Sequence, residues 1–66
     1  MRTELKVFRT RQKLTQLEMA KRCKTGRDNY CSIENGKRNG GVNFWFSLGE
    51  AFGLSLEELK NLMKTD

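Results

Sequence analysis

The sequence predicts an all-α fold, a compact bundle of five short helices within a single domain spanning residues 1–66. Three observations predict it. Apolar residues recur at i, i+3 and i+4 in successive short stretches, the spacing that lines one face of a helix. Two of those stretches open on a hydroxyl residue with glutamate three positions later, Thr15 with Glu18 and Ser55 with Glu58, which is the reciprocal capping arrangement of a helix start. Glycine-bearing breaks fall between the stretches, at Lys24-Thr25-Gly26, Asn35-Gly36, Asn39-Gly40-Gly41 and Gly53-Leu54.

The elements follow in order. Residues 3–13 are expected as the first helix, with Leu5, Phe8 and Gln12 on one face and Val7 beside it. Arg9 stands next to that apolar face, an unusual place for a charge. Leu14 closes the first linker and points inward. The second helix is expected over residues 16–23, with Met19, Ala20 and Cys23 on its inner face and Leu17 left at the surface. Gly26 is expected to supply the turn geometry that follows. The third helix covers residues 27–35, with Tyr30, Ile33 and Glu34 at helical spacing and Asn35-Gly36 forming a left-handed cap. Tyr30 can fill space between helices, but its hydroxyl needs water or a partner.

The fourth helix, residues 43–52, carries the stripe Trp45, Leu48, Gly49 and Phe52. Gly49 costs about 1 kcal/mol relative to Ala in a helix interior, so a close approach by another helix is its expected use. One of Phe44 and Phe46 is left on the flank as a contact patch. The fifth helix, residues 56–63, has an apolar face of Leu56, Leu59, Leu62 and Met63. Part of that face closes the core, and the rest is available to bury against a second copy.

A chain of 66 residues with 36% hydrophobic content supports one core and offers no apolar run of the roughly 20 residues that a membrane span needs. Arg2, Glu4 and Lys6 interrupt any signal-peptide pattern, and a cytoplasmic protein is expected. The net charge of +5 is unevenly spread: residues 1–38 hold eleven Lys/Arg against four acids, and residues 39–66 hold two against four. A basic excess confined to one segment is the footprint of a polyanion binder, whereas an even spread marks ordinary solvation. Cys23 and Cys31 match no zinc spacing, and the chain has no histidine. Cys23 is expected as a buried reduced thiol and Cys31 as partly exposed. With no ligand cluster, no nucleophile beside a base and no phosphate-cradling loop, the chain is not read as an enzyme, and no metal, cofactor or small-molecule ligand is expected.

Residues 15–38 hold the stretch on which the rest depends: two short helices joined by a glycine-containing turn, which fits a helix-turn-helix. This stretch resembles the phage repressor/Cro-type helix-turn-helix family, also called the xenobiotic-response-element type. The matching residues are Thr15-Gln16, Ala20, Lys24-Thr25-Gly26 and Ile33-Glu34-Asn35-Gly36-Lys37-Arg38. Leu5, Phe8 and Arg9 match the family's first helix, and residues 53–59, GLSLEEL, match its last loop and helix. The resemblance spans residues 4–62. Each motif alone is weak; the ordered set is strong. The resemblance implies a lambda-repressor-like DNA-binding domain. It departs from the family at Leu17, where a polar residue is usual, at Gly26, where Ser or Thr often caps, at Tyr30, where Val or Ile is preferred, and in the third loop, which lacks proline.

The resemblance also implies site residues. Arg27, Asp28, Asn29 and Ser32 match base-reading positions. Arg27 suits guanine O6 and N7, Asn29 suits adenine, and Asp28 can accept from cytosine N4 or orient Arg27. Asp and Asn near a helix start also serve simple capping chemistry. Gln16, Gly26, Asn35, Lys37 and Arg38 are expected at phosphates, because most contacts position the protein rather than specify sequence. Lys21, Arg22 and Lys24 face phosphate or solvent. Arg9 is expected to pair with Glu34, joining the first helix to the third. The function expected is sequence-specific binding of double-stranded DNA by a transcriptional repressor, as a homodimer on a two-fold operator. The alternative is a protein-interaction module, an antitoxin or adaptor, on the same fold.

Overall fold

Thr15 and Ser55 each start a helix as the capping pattern requires. The Thr15 hydroxyl accepts from the Glu18 N–H at 3.1 Å, and the Glu18 carboxylate accepts from the Thr15 N–H at 2.9 Å. Ser55 and Glu58 repeat the exchange at 3.2 and 2.9 Å. The computed structural model describes residues 1–66 and contains five helices: α1 (Thr3–Arg11), α2 (Gln16–Arg22), α3 (Arg27–Glu34), α4 (Val42–Phe52) and α5 (Leu56–Met63). The all-α architecture is as expected. No helix is long and apolar enough to cross a membrane.

The first four helices end alike, and this corrects several boundaries. Lys13, Lys24, Gly36 and Gly53 take φ of 59°, 58°, 81° and 62°. The next N–H then folds back onto a carbonyl five residues earlier: Leu14 to Arg9, Thr25 to Ala20, Lys37 to Ser32 and Leu54 to Gly49, at 3.3, 3.0, 2.9 and 2.9 Å. Thus α1 stops at Arg11 rather than running to residue 13. The turn between α2 and α3 is made by Lys24, not by Gly26, whose φ of −76° is open to any residue. Gly26 instead precedes α3 as its cap without a capping side chain. A lysine in the left-handed region costs energy that glycine avoids, partly offset by its positive charge near a helix C-terminus.

The core gathers Leu5, Met19, Ala20, Cys23, Tyr30, Ile33, Phe44, Trp45, Leu48 and Leu62, with Phe8, Leu14, Phe52, Leu54 and Leu59 packed around them. α2 packs on α3, α1 lies against α5 and α3, and α4 bridges α2 and α5. Gly49 is needed for that last contact, since a Cβ there would sit 3.0 Å from Leu59 Cδ1. Of the two candidate flank aromatics, Phe44 is buried and Phe46 is exposed. Burial pushes the Cys23 thiol up to about 11, which keeps it protonated and unreactive near neutral pH. Both cysteines are free.

Two buried charged groups join the helices. The Glu34 carboxylate, on α3, accepts from Arg9 Nε at 2.8 Å, Arg9 Nη2 at 3.3 Å, Gln16 Nε2 at 3.2 Å and the Tyr30 hydroxyl at 2.7 Å. Arg9 also donates to the Leu14 carbonyl at 2.9 Å. One carboxylate thereby fixes α1, α2 and α3 relative to each other. The second group is Arg2, to which sequence reasoning assigned no role. Its guanidinium donates to the carbonyls of Met63, Ile33, Arg38 and Asn39 at 3.0, 2.6, 2.8 and 3.4 Å, and lies 5.5 Å from the Trp45 ring centroid. It has no carboxylate partner. Carbonyls near the ends of α3 and α5 supply the negative potential instead, and burial draws its pKa below the ordinary value.

Burial by itself raises the Glu34 pKa, but the hydrogen bonds from Arg9, Tyr30 and Gln16 outweigh it, and the net shift is downward. A depressed carboxylate contributes stability that is full above its unfolded value of about 4.3 and lost as pH falls through the folded value. Glu34→Gln is expected to cost about 3 kcal/mol at pH 7 in chemical denaturation, because Arg9 is left without its counter-charge. The difference between wild type and variant should shrink as pH falls below about 4; the exposed capping glutamates Glu18 and Glu58 remain in both proteins and cancel. Lys24→Gly is expected to raise stability by about 0.5 kcal/mol, read as a rise in melting temperature of about 2–4 °C.

Candidate nucleic-acid interface

α3 buries Tyr30, Ile33 and Glu34 and turns its other side outward. Arg27 and Asp28 are exposed in its first turn, Cys31 and Ser32 follow half-buried one turn on, and exposed Asn35 ends the row. These positions fall on one stripe by the 3.6-residue period. The open face therefore begins at the helix N-terminus, where the backbone N–H groups are unpaired and Gly26 provides no side-chain cap. The Arg27 guanidinium lies 4.0 Å from the Asp28 carboxylate, both in solvent. That is a weak pair, which leaves Arg27 free to swing.

Asn29 is placed differently from the other three expected readers. It is half-buried beside the turn, with Nδ2 donating to Thr25 Oγ1 at 2.9 Å and Oδ1 accepting from Arg38 Nη1 at 2.8 Å. Both ends of its amide are therefore occupied, in the donor and acceptor senses that an adenine contact would need. In the free molecule Asn29 is a strut that fixes Arg38. Arg38 is held a second time through its carbonyl, which accepts from Arg2.

The residues expected at phosphates fall into two groups. Lys37 and Arg38 are exposed just beyond the end of α3, next to Asn35. The Gln16 amide nitrogen, by contrast, is drawn inward to Glu34, because the buried carboxylate has acceptor capacity that Arg9 and Tyr30 do not fill. At Gly26 a Cβ would meet nothing within 4 Å, so the backbone there is open to approach. Of the Lys21, Arg22 and Lys24 run, the Arg22 guanidinium lies 5.8 Å from the Phe52 ring centroid and thus packs toward α4. The Tyr30 hydroxyl is spent on Glu34 and does not reach the surface.

The charge asymmetry survives folding. Within residues 1–38, Arg2, Arg9 and Glu34 are withdrawn into the interior, which leaves nine Lys/Arg against three acids on that part of the surface. Cys31 is the residue on the open face that sequence reasoning did not assign to it. The signal was available: it lies three positions after Asp28 and four after Arg27. Thr25, which anchors Asn29 from the turn, was likewise seen only as part of a break.

A short helix whose N-terminal turn stands clear of the core, packed at its back on a capped partner helix and bordered by cations at its exit, defines a helix-turn-helix DNA-binding domain. The chain belongs to the helix-turn-helix family, of the Cro/C1 type: the family model matches residues 5–59. Two relatives are similar along most of their length. One, from Archaeoglobus fulgidus, is named an uncharacterized HTH-type transcriptional regulator and is 32% identical over 59 residues, covering 89% of this chain and 83% of the relative. The other, from Methanocaldococcus jannaschii and named in the same way, is 30% identical over 59 residues, covering 89% of each chain. No solved structure matches the chain significantly.

The hydrogen bond between Asn29 and Arg38 is exposed. A double-mutant cycle of Asn29→Ala and Arg38→Ala is expected to give a coupling of about 0.5 kcal/mol in chemical denaturation. Strict additivity would mean that the two side chains do not hold each other in solution.

Proposed function

We propose that the protein binds an operator in double-stranded DNA sequence-specifically and represses transcription by occupying it. In this reading α3 enters the major groove from its N-terminal turn, and α2 lies across it and faces the backbone. The observation that carries the reading is the open face of α3, which starts with an uncommitted arginine at the helix tip. Family membership supports DNA binding, and the names of the two relatives support transcriptional regulation.

In this reading each exposed residue has a role. Arg27 reads guanine through O6 and N7, Asp28 accepts from cytosine N4 or steers Arg27, and Ser32 makes a further contact one turn on. Asn29 acts first by fixing Arg38, and it reads adenine only if DNA displaces Thr25 and Arg38 from its amide. Lys37, Arg38 and Asn35 grip one phosphate run. The free N–H groups after Gly26, and those at the start of α2 beside Gln16, meet others. Repression is steric and needs two copies on a two-fold site, since one small domain makes few contacts.

A protein-interaction module, such as an antitoxin or adaptor, is the second reading. It is favoured by a fully exposed Asp28 at the tip, where a carboxylate repels phosphate.

Selection of bound fragments from random duplex DNA, followed by a salt titration, tests the proposal. The expected result is a preferred palindromic site whose log K falls linearly with log salt. Absence of binding to any duplex at low salt would leave the interaction module. On the selected site, Arg27→Ala is expected to cost about 1–3 kcal/mol and relax preference at one base pair, whereas Lys37→Ala weakens all sequences alike and lowers the salt slope by about 1. Equal losses for Arg27→Ala on selected and random DNA would remove its reading role.

A further inference from the structure

The backbone that leaves α3 carries Lys37 and Arg38, yet little within that segment holds it in place. The Lys37 and Arg38 N–H groups both fold onto the Ser32 carbonyl, at 2.9 and 3.2 Å. Beyond them the Asn39, Gly40 and Gly41 N–H groups donate to nothing in the molecule, and Gly40 takes a φ of 72°. Local hydrogen bonding therefore stops at Arg38, and the two glycines that follow constrain the chain little.

What fixes the segment comes from behind it. Arg2 is only 4% exposed. Its Nη1 donates to the Ile33 carbonyl at 2.6 Å and to the Arg38 carbonyl at 2.8 Å, and Nη2 donates to the Asn39 carbonyl at 3.4 Å. Nε donates to the Met63 carbonyl at 3.0 Å, at the end of α5. The Trp45 indole N–H adds a bond to the Asn39 carbonyl at 3.0 Å. One planar group thus ties the backbone on both sides of Lys37 to a distant helix. A guanidinium suits this task because its five N–H donors form a rigid fork, whereas a lysine ammonium offers three donors from a single point.

The Arg38 side chain is held at the same time. Its Nη1 donates to Asn29 Oδ1 at 2.8 Å, and Asn29 Nδ2 donates to Thr25 Oγ1 at 2.9 Å. Arg38 is exposed, and an exposed arginine that was loose at backbone and side chain would lose more freedom on meeting an anion. Fixed by Arg2 at its carbonyl and by Asn29 at its guanidinium, it is set in place beforehand. Arg2 stays in the interior, so any effect it has on a ligand passes through the residues it holds.

We infer that Arg2 is a positioning residue for DNA binding: from inside the fold it holds the Arg38 backbone where that side chain meets a phosphate. The inference rests on the operator-binding reading and deepens it, by making the phosphate grip depend on a buried residue outside the helix-turn-helix.

Arg2→Lys tests it, because the charge is kept and the fork is lost. The first measurement uses no DNA. The Asn29 side-chain amide signals in a nitrogen–proton correlation spectrum report its contact with Arg38. In Arg2→Lys they are expected to move to the positions found in Arg38→Ala. Phe52→Ala, which removes the ring packed on Phe8 at the far end of α4, should leave them in place although it also lowers stability. The second measurement uses the selected duplex and random duplex. Arg2→Lys is expected to weaken both about tenfold, the scale of one charge-assisted hydrogen bond, and to lower the salt slope by about 1. In the Arg38→Ala background it should change affinity by less than about twofold, since the two act as one unit. Phe52→Ala should leave affinity and salt slope unchanged.

If Arg2→Lys does not fold, Arg2→Met repeats both measurements, filling the space beside Trp45 without a buried charge. Asn29 signals that do not move, or losses from the Arg2 and Arg38 variants that simply add, would overturn the inference. Wild-type protein that binds no duplex would overturn the operator reading and this role with it. Wild-type binding that Arg2→Lys leaves intact would overturn the inference alone.

Discussion

A single carboxylate in the interior decides how this domain is assembled. Glu34 belongs to α3, yet its four hydrogen bonds come from Arg9 on α1, Gln16 on α2 and Tyr30 on α3 itself. A charge placed that deep is unfavourable unless its acceptor sites are filled, and here they are, with a guanidinium supplying the opposite sign. The arrangement specifies geometry as well as offsetting its own burial. Only one relative placement of three helices lets all four donors reach two oxygens. The outward face of α3 is set by the same placement, since Tyr30 and Glu34 point inward and leave Arg27, Asp28, Cys31 and Ser32 on the other side.

The same network limits what the surface can offer. Gln16 and Tyr30 are side chains that sequence reasoning could send toward DNA, and the buried carboxylate draws both inward. Asn29 is drawn sideways by Thr25 and Arg38. What is left uncommitted is narrower than the motif suggests: the helix tip, one turn beyond it, and the cations after α3. A small domain fills its polar interior from the same residues that could reach a ligand, so the two uses compete.

Local signals in the chain were read reliably because they are local. The capping boxes at Thr15 and Ser55, the stripe on α4 and the Asn35-Gly36 cap each depend on residues within one or two turns, and each forms where the spacing places it. The uneven charge and the exposed tip of α3 were legible for the same reason. The misplaced features depend on contacts distant in sequence or on backbone strain. Nothing near Arg2 announces that carbonyls of residues 33, 38, 39 and 63 will converge on it. The left-handed lysines at 13 and 24 were missed because residue preference favours glycine there, and the adjacent Gly26 drew the assignment away. The choice between Phe44 and Phe46 turned on where α3 lies, since the Phe44 ring packs 6.1 Å from that of Tyr30, and helical period alone does not fix that.

Arg2 has a consequence for how the molecule opens. Its guanidinium holds the exit of α3, the loop into α4 and the last turn of α5, while the Asp66 N–H donates to the Met1 carbonyl at 2.8 Å. Chain ends ordinarily fray independently of the interior and of each other. Here the first residues are a shared fastening for three separate segments, so local melting at either end must loosen the other end and the backbone behind Lys37 and Arg38 together. The slowest-exchanging amides should then extend to the edges of the fold.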